Sequence, residues 1–203
     1  EPMAPAEVAM HHARLGQSDT RRLIYIGDSD LHDGYPLSAD EVHYHVQPLQ
    51  DSDFFLVLWS TALGDVCYFP SRKYPRAHAL TGGVSPYGFV SPAAAAGDTL
   101  QALADTVHEM GLRVHGLMRP VASRLAPLHW PRAEGDLFHR CPEVRQVGRR
   151  GEPVGHYSFA HPLVRETFTG VLREQVEHWP LDGEHVLFNR GWPFVSFEPA
   201  VVA

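Results

Sequence analysis

The chain has 203 residues, 44% hydrophobic and 20% charged, which allows one substantial core and one domain. Seventeen Lys and Arg against 24 Asp and Glu leave a net charge of −7, which argues against a nucleic-acid partner, because a basic face supplies most of the affinity in such complexes. No apolar run reaches the roughly 18–20 residues that a bilayer span requires, and Cys67 and Cys141 fit neither a disulfide framework nor a zinc motif.

Residues 1–21 are polar, carry Pro2 and Pro5, and are expected to form a partly irregular lead-in. The start at Glu1, without an initiator Met or a signal-peptide pattern, reads as processing or as an excerpt from a longer chain, and leaves the compartment open. From residue 22 to 203 the sequence reads as one domain. Arg22–Ile26 is a short apolar, β-branched strand stopped by Gly27-Asp28-Ser29-Asp30. Leu37–Gln50 follows as a helix with Ser38 as its N-cap, and on a helix His43 and His45 diverge rather than chelate. Asp53–Ser60 is a continuous apolar run, the pattern of a strand covered on both faces. A long segment rich in Pro, Gly and aromatics, Thr61–Pro92, separates it from the next helix, Asp98–Met110, which Gly111 ends. Leu112–Met118 is the third strand, with His115 expected as a core histidine. A second long irregular segment, Val121–Tyr157, leads to a helix with Pro162 near its start and Ser158 as its cap. Val164, Phe168, Val171, Leu172 and Val176 mark the buried stripe of that helix. Leu181-Asp182-Gly183 makes a turn, with Asp182 at the stability face, and Glu184–Phe188 is the fourth strand.

Strands alternating with helices imply an α/β fold with a parallel sheet and right-handed crossovers. A doubly wound nucleotide binder is disfavoured, since no GxGxxG or P-loop occurs and two acids follow the first strand. The expectation is a parallel (β/α) TIM-type barrel. A complete barrel takes roughly 250 residues, so the four strands read as only the first four or so βα units. A missing C-terminal half or a partner would complete it.

Ser158-Phe-Ala-His-Pro-Leu-Val-Arg-Glu-Thr-Phe and Leu181-Asp-Gly-Glu-His-Val-Leu-Phe-Asn-Arg-Gly together resemble the family-10-like glycosyl hydrolases of bacteria, which are TIM-barrel proteins. The block Asp53–Ser71, ending Tyr68-Phe69-Pro70-Ser71, looks like the second-strand region of one branch of that group. Gly111-Leu112-Arg113-Val114-His115 is similar to its third strand. The resemblance implies a hydrolase acting on a poly- or oligosaccharide by carboxylate acid/base chemistry. One departure stands out: many relatives place an Asp near the end of the fourth strand, where this chain has Asn189.

In such a barrel the chemistry sits at the C-terminal ends of the strands. Asp28 and Asp30 follow the first strand, Trp59 and Ser60 end the second, and Arg119 ends the third. Asn189 and Arg190 end the fourth, with Glu198 in the loop beyond. Glu198 is the expected catalytic carboxylate. Asp28, Asp30, Trp59, Arg119, Asn189 and Arg190 are expected to bind the sugar, Trp59 by stacking on a pyranose face. The expected partner is a carbohydrate substrate, and no cofactor or metal is called for. Two alternatives remain: a non-catalytic carbohydrate-binding barrel, and a metal-dependent barrel hydrolase using Asp28, Asp30 and histidines.

Overall fold

The computed structural model describes residues 23–27, 39–76, 84–85, 88–89, 98–120, 137–188, 197 and 201. Four parallel strands build the main sheet: β1 (Leu23–Gly27), β2 (Phe54–Leu63), β6 (Arg113–Arg119) and β9 (Gly183–Val186). Their order across the sheet is their order along the chain, β1-β2-β6-β9. A doubly wound sheet reverses direction at a switch point. This one does not, and the chain adopts an α/β fold of the (β/α)-barrel kind, present in part.

Helices return the chain between strands. α1 (Ala39–Val46), continued by a 3-10 turn at Gln47–Leu49, links β1 to β2. α2 (Thr99–Glu109) precedes β6 and α4 (Pro162–His178) precedes β9. Asp98 caps α2 by accepting the Gln101 N–H at 3.0 Å, and Gly111 leaves the helix with φ of 70°. The Asp98 carboxylate also accepts the Trp179 indole N–H at 2.8 Å, tying the start of α2 to the end of α4.

Both long connections contain short elements that apolar periodicity does not register. β2 runs three residues beyond the expected end at Ser60, because the two-residue β3 (Val66–Cys67) folds back against it. β4 (Val84–Ser85) and β5 (Gly88–Phe89) pair with each other. Between β6 and α4 lie α3 (Leu137–Arg140), a 3-10 turn at Pro142–Val144, and the hairpin of β7 (Arg145–Val147) and β8 (Pro153–Tyr157).

Strand alternation sorts the side chains into two layers. Tyr25, Val57, Trp59, Val114 and Met118 face the helices, where Val42, Val46, Leu103, Val107, Val164, Phe168 and Val171 complete the main core. Leu56, Leu58 and Leu117 face the other way and form a smaller cluster with Leu187. Among the described residues no helix is long and apolar enough to cross a membrane.

Candidate functional site

The inner face of the sheet, away from the helices, changes character along the strands. Register pairs Leu56, Leu58 and Ser60 of β2 with Arg113, His115 and Leu117 of β6, so these share one face. The middle of that face is apolar apart from His115, whereas its C-terminal end carries Ser60 and Arg119, which are 1% and 4% exposed. Arg119 is thus a buried cation at a strand end on the inner face. Its carbonyl also accepts the Gly64 N–H at 2.8 Å, which holds the turn after β2 against the end of β6.

That turn contains an acid which reading β2 only to Ser60 leaves unnoticed. Asp65 is 1% exposed; its Oδ1 accepts the Tyr157 hydroxyl at 2.8 Å and its Oδ2 accepts the Leu137 N–H at 2.8 Å. Tyr157 ends β8 and Leu137 begins α3. One carboxylate therefore fastens the start of α3 and the end of β8, both within the β6–α4 connection, to the tip of β2. The Gly64 φ of 61° permits the turn, and the Tyr157 ring lies against its Cα. A second buried acid fastens the other long connection: Glu174 of α4, fully buried, accepts Ser71 Oγ at 2.7 Å and the Arg72 N–H at 2.8 Å. Cys67 lies between these acids, and burial, then Glu174 and Asp65, pushes its thiol well above the usual range. Cys67 and Cys141 are both free thiols.

Trp59 requires a correction. The alternation that sends Ser60 inward sends Trp59 outward into the helix-facing core, 4% exposed, where its ring covers Gly27 of the neighbouring strand. No pyranose can stack on a face already packed in that way. Asp28, Asp30, Asn189, Arg190 and Glu198 lie outside the described residues, as does Ser38.

At the opposite end of the sheet, Asp182 behaves as a turn residue at the stability face. Its Oδ2 accepts the Val114 N–H at 2.8 Å and sits 2.9 Å from His108 Nε2, while its own N–H donates to the Val114 carbonyl at 2.8 Å. Burial alone would raise this carboxyl, but the Val114 N–H and His108 outweigh it and hold the group below the ordinary carboxylate range. His115, mid-strand on the inner face, is lowered chiefly by burial, with Asp182 pulling the other way. Ser158 does not cap α4. The helix starts at Pro162 with His161 in the cap position, and the residue that braces this start is Arg165, whose Nη1 donates to the carbonyls of Phe159 and Ala160 at 2.6 and 2.7 Å. Among the described residues no group of three or more His, Cys, Asp or Glu could hold a metal ion.

No protein-family model matches the chain, and no curated protein matches it in sequence. Among solved structures it is similar to alpha-L-fucosidase isoenzyme 2 from Paenibacillus thiaminolyticus, with a TM-score of 0.52 at 13% identity over 89% of this chain and 25% of that one. An alpha-galactosidase from Thermus thermophilus, in complex with p-nitrophenyl alpha-D-galactopyranoside, gives 0.47 at 16% identity over 88% and 33%. A maltogenic alpha-amylase from Thermotoga neapolitana gives 0.48 at 13% identity over 87% and 41%. The chain spans between 25% and 41% of the length of these structures. The likeness to the fucosidase is one of fold alone, a (β/α) barrel of which this chain holds part, and it does not single out the family-10-like group.

Proposed function

We propose that the chain is the first part of a family-10-like glycoside hydrolase, cleaving a poly- or oligosaccharide by carboxylate acid/base chemistry, with residues 22–203 as its partial barrel and 1–21 as a lead-in. The observation that carries this reading is the uninterrupted order of four parallel strands whose inner face turns polar at the C-terminal end, at Ser60 and Arg119. The proposed site residues follow those strand ends in sequence: Asp28 and Asp30 come just after Gly27, and Asn189 and Arg190 just after Phe188. In this reading Arg119 and Arg190 bind hydroxyls or a developing negative charge. Glu198 is one of the two carboxyls that glycosidic cleavage needs. Further βα units, from the same polypeptide or a partner, cover β1 and β9, on which Ile24, Ile26 and Val186 are 48%, 48% and 39% exposed.

The test is release of reducing sugar from a panel of oligosaccharides by the wild-type protein and by Glu198→Gln. Turnover of at least one substrate, lost in the variant by a factor of about 100 or more, is expected for removal of an acid/base group. Undiminished turnover in Glu198→Gln would overturn the assignment. Asn189 favours a second reading, a carbohydrate-binding barrel without catalysis, because an amide supplies neither proton nor nucleophile at that strand end. Saccharide binding weakened by Arg119→Ala, with no hydrolysis by the wild type, would select it.

A further inference from the structure

The helix-facing side of β9 carries an acid that the proposed sugar site does not use. Glu184 pairs in register with Gly116, beneath α4. Both of its carboxyl oxygens are buried without a hydrogen-bond partner. The amide of Gln175 is in the same position: the residue is fully buried, and neither its oxygen nor its nitrogen is bonded. The two side chains meet above Gly116, where a Cβ would lie 2.5 and 2.6 Å from the Glu184 oxygens and 2.8 Å from Gln175 Oε1. Only glycine leaves room for them.

No countercharge faces this pair among the described residues. On α4, Glu174 is turned to Ser71 and Arg72, while Arg173, Glu177 and His178 are exposed. On β6, Arg113 and His115 alternate to the opposite face, and on β9 so does His185. On α2, His108 is engaged with Asp182. An ionised carboxylate here would be buried with no cation to meet it and at most the Gln175 amide N–H as a donor, a costly arrangement. A neutral carboxylic acid, by contrast, has a hydroxyl to donate and a carbonyl to accept, and Gln175 offers an acceptor and a donor in return.

We propose that Glu184 and Gln175 form a proton-dependent latch between α4 and the sheet, closed while Glu184 carries a proton and released at the C-terminal half of α4 when it ionises. Burial raises the Glu184 carboxyl from the ordinary 4.5 to about 8, in the same direction as the geometry. Between those values the folded chain keeps a proton that the unfolded chain has lost. The stabilisation is therefore complete below pH 4.5, shrinks as pH rises, and is gone above about 8.

Urea unfolding from pH 5 to 9 tests this on the full chain, comparing wild type with the neutral isostere Glu184→Gln. The folding equilibrium constant of the wild type should fall by about tenfold per pH unit relative to the variant until pH 8. Amide exchange across Val171–His178, corrected for its intrinsic rate, should accelerate with pH only in the wild type. Parallel stability curves would overturn the latch. If Glu184→Gln fails to fold, a carbon-13 titration of the Glu184 carboxyl in the wild type decides: a midpoint near pH 8 supports the latch, and one near the ordinary 4.5 refutes it.

Discussion

Asp182 and Asp65 occupy opposite ends of the same sheet, and their surroundings assign them different work. Asp182 stands before β9 and joins it to β6 through the Val114 N–H. Because its carboxyl and His108 are 36% and 37% exposed, solvent weakens their attraction, and the backbone bond carries most of the effect. Asp182→Ala should therefore lower stability at pH 7 by about 1–2 kcal/mol in urea unfolding. Its carboxyl is held in the folded state below the ordinary 3.8, so this contribution is present above that pH and is lost as the pH falls through the lower folded value. The gap between wild type and variant should close on acidification. Asp65 is a harder constraint, since it is buried with two donors aimed at it. Tyr157→Phe should cost about 1–2 kcal/mol by removing one donor, and Asp65→Ala about 3 kcal/mol or more by orphaning both. The role of Asp182 was legible from its turn setting, Leu-Asp-Gly. That of Asp65 was not, because its partners Leu137 and Tyr157 lie more than seventy residues away in segments without periodicity.

At the scale of elements, the four parallel strands and the three helices joining them were legible within a few residues, from apolar runs, a C-terminal glycine and a proline at a helix start. Which face a strand residue takes was not. Asp53–Ser60 is apolar throughout, so its pattern holds no contrast between inside and outside, and Trp59 could be assigned to either. The register settles it: Trp59 lies beside Gly27, whose hypothetical Cβ would be 2.3 Å from the indole ring. Because a fused ring wedged in the core cannot swing aside, Gly27→Ala should destabilise the protein by about 1–3 kcal/mol, measurable as a shift in the urea midpoint. The cap of α4 failed in another way. Ser158 has the right chemistry for an N-cap but stands too early, and His161-Pro162 opens the helix instead. The Pro-Leu-Val-Arg motif keeps its importance, since Arg165 braces the preceding carbonyls.

For the whole molecule, alternation of strand and helix foretold the parallel sheet, and the absence of a glycine-rich phosphate loop pointed to a barrel rather than a doubly wound sheet. The order β1-β2-β6-β9 fits that choice directly. The position of Arg119, at the end of its strand on the inner face, was legible, whereas Trp59, read as a rim residue, belongs to the core. Composition could not foresee how the long connections are held, by Asp65 at one and Glu174 at the other. In the proposed reading these pins matter for function, because loops at the C-terminal strand ends of a barrel form a substrate site only if they are held in place. The proposed glycosidic cleavage requires a carboxyl pair at that end. The most direct measurement is the separation between the Glu198 carboxyl and its nearest carboxyl neighbour in a crystal structure with a saccharide bound. The proposed chemistry predicts about 5–5.5 Å for a retaining enzyme or about 6.5–9.5 Å for an inverting one, with the glycosidic oxygen between them. A saccharide bound at the strand ends with no second carboxyl in that range would contradict it.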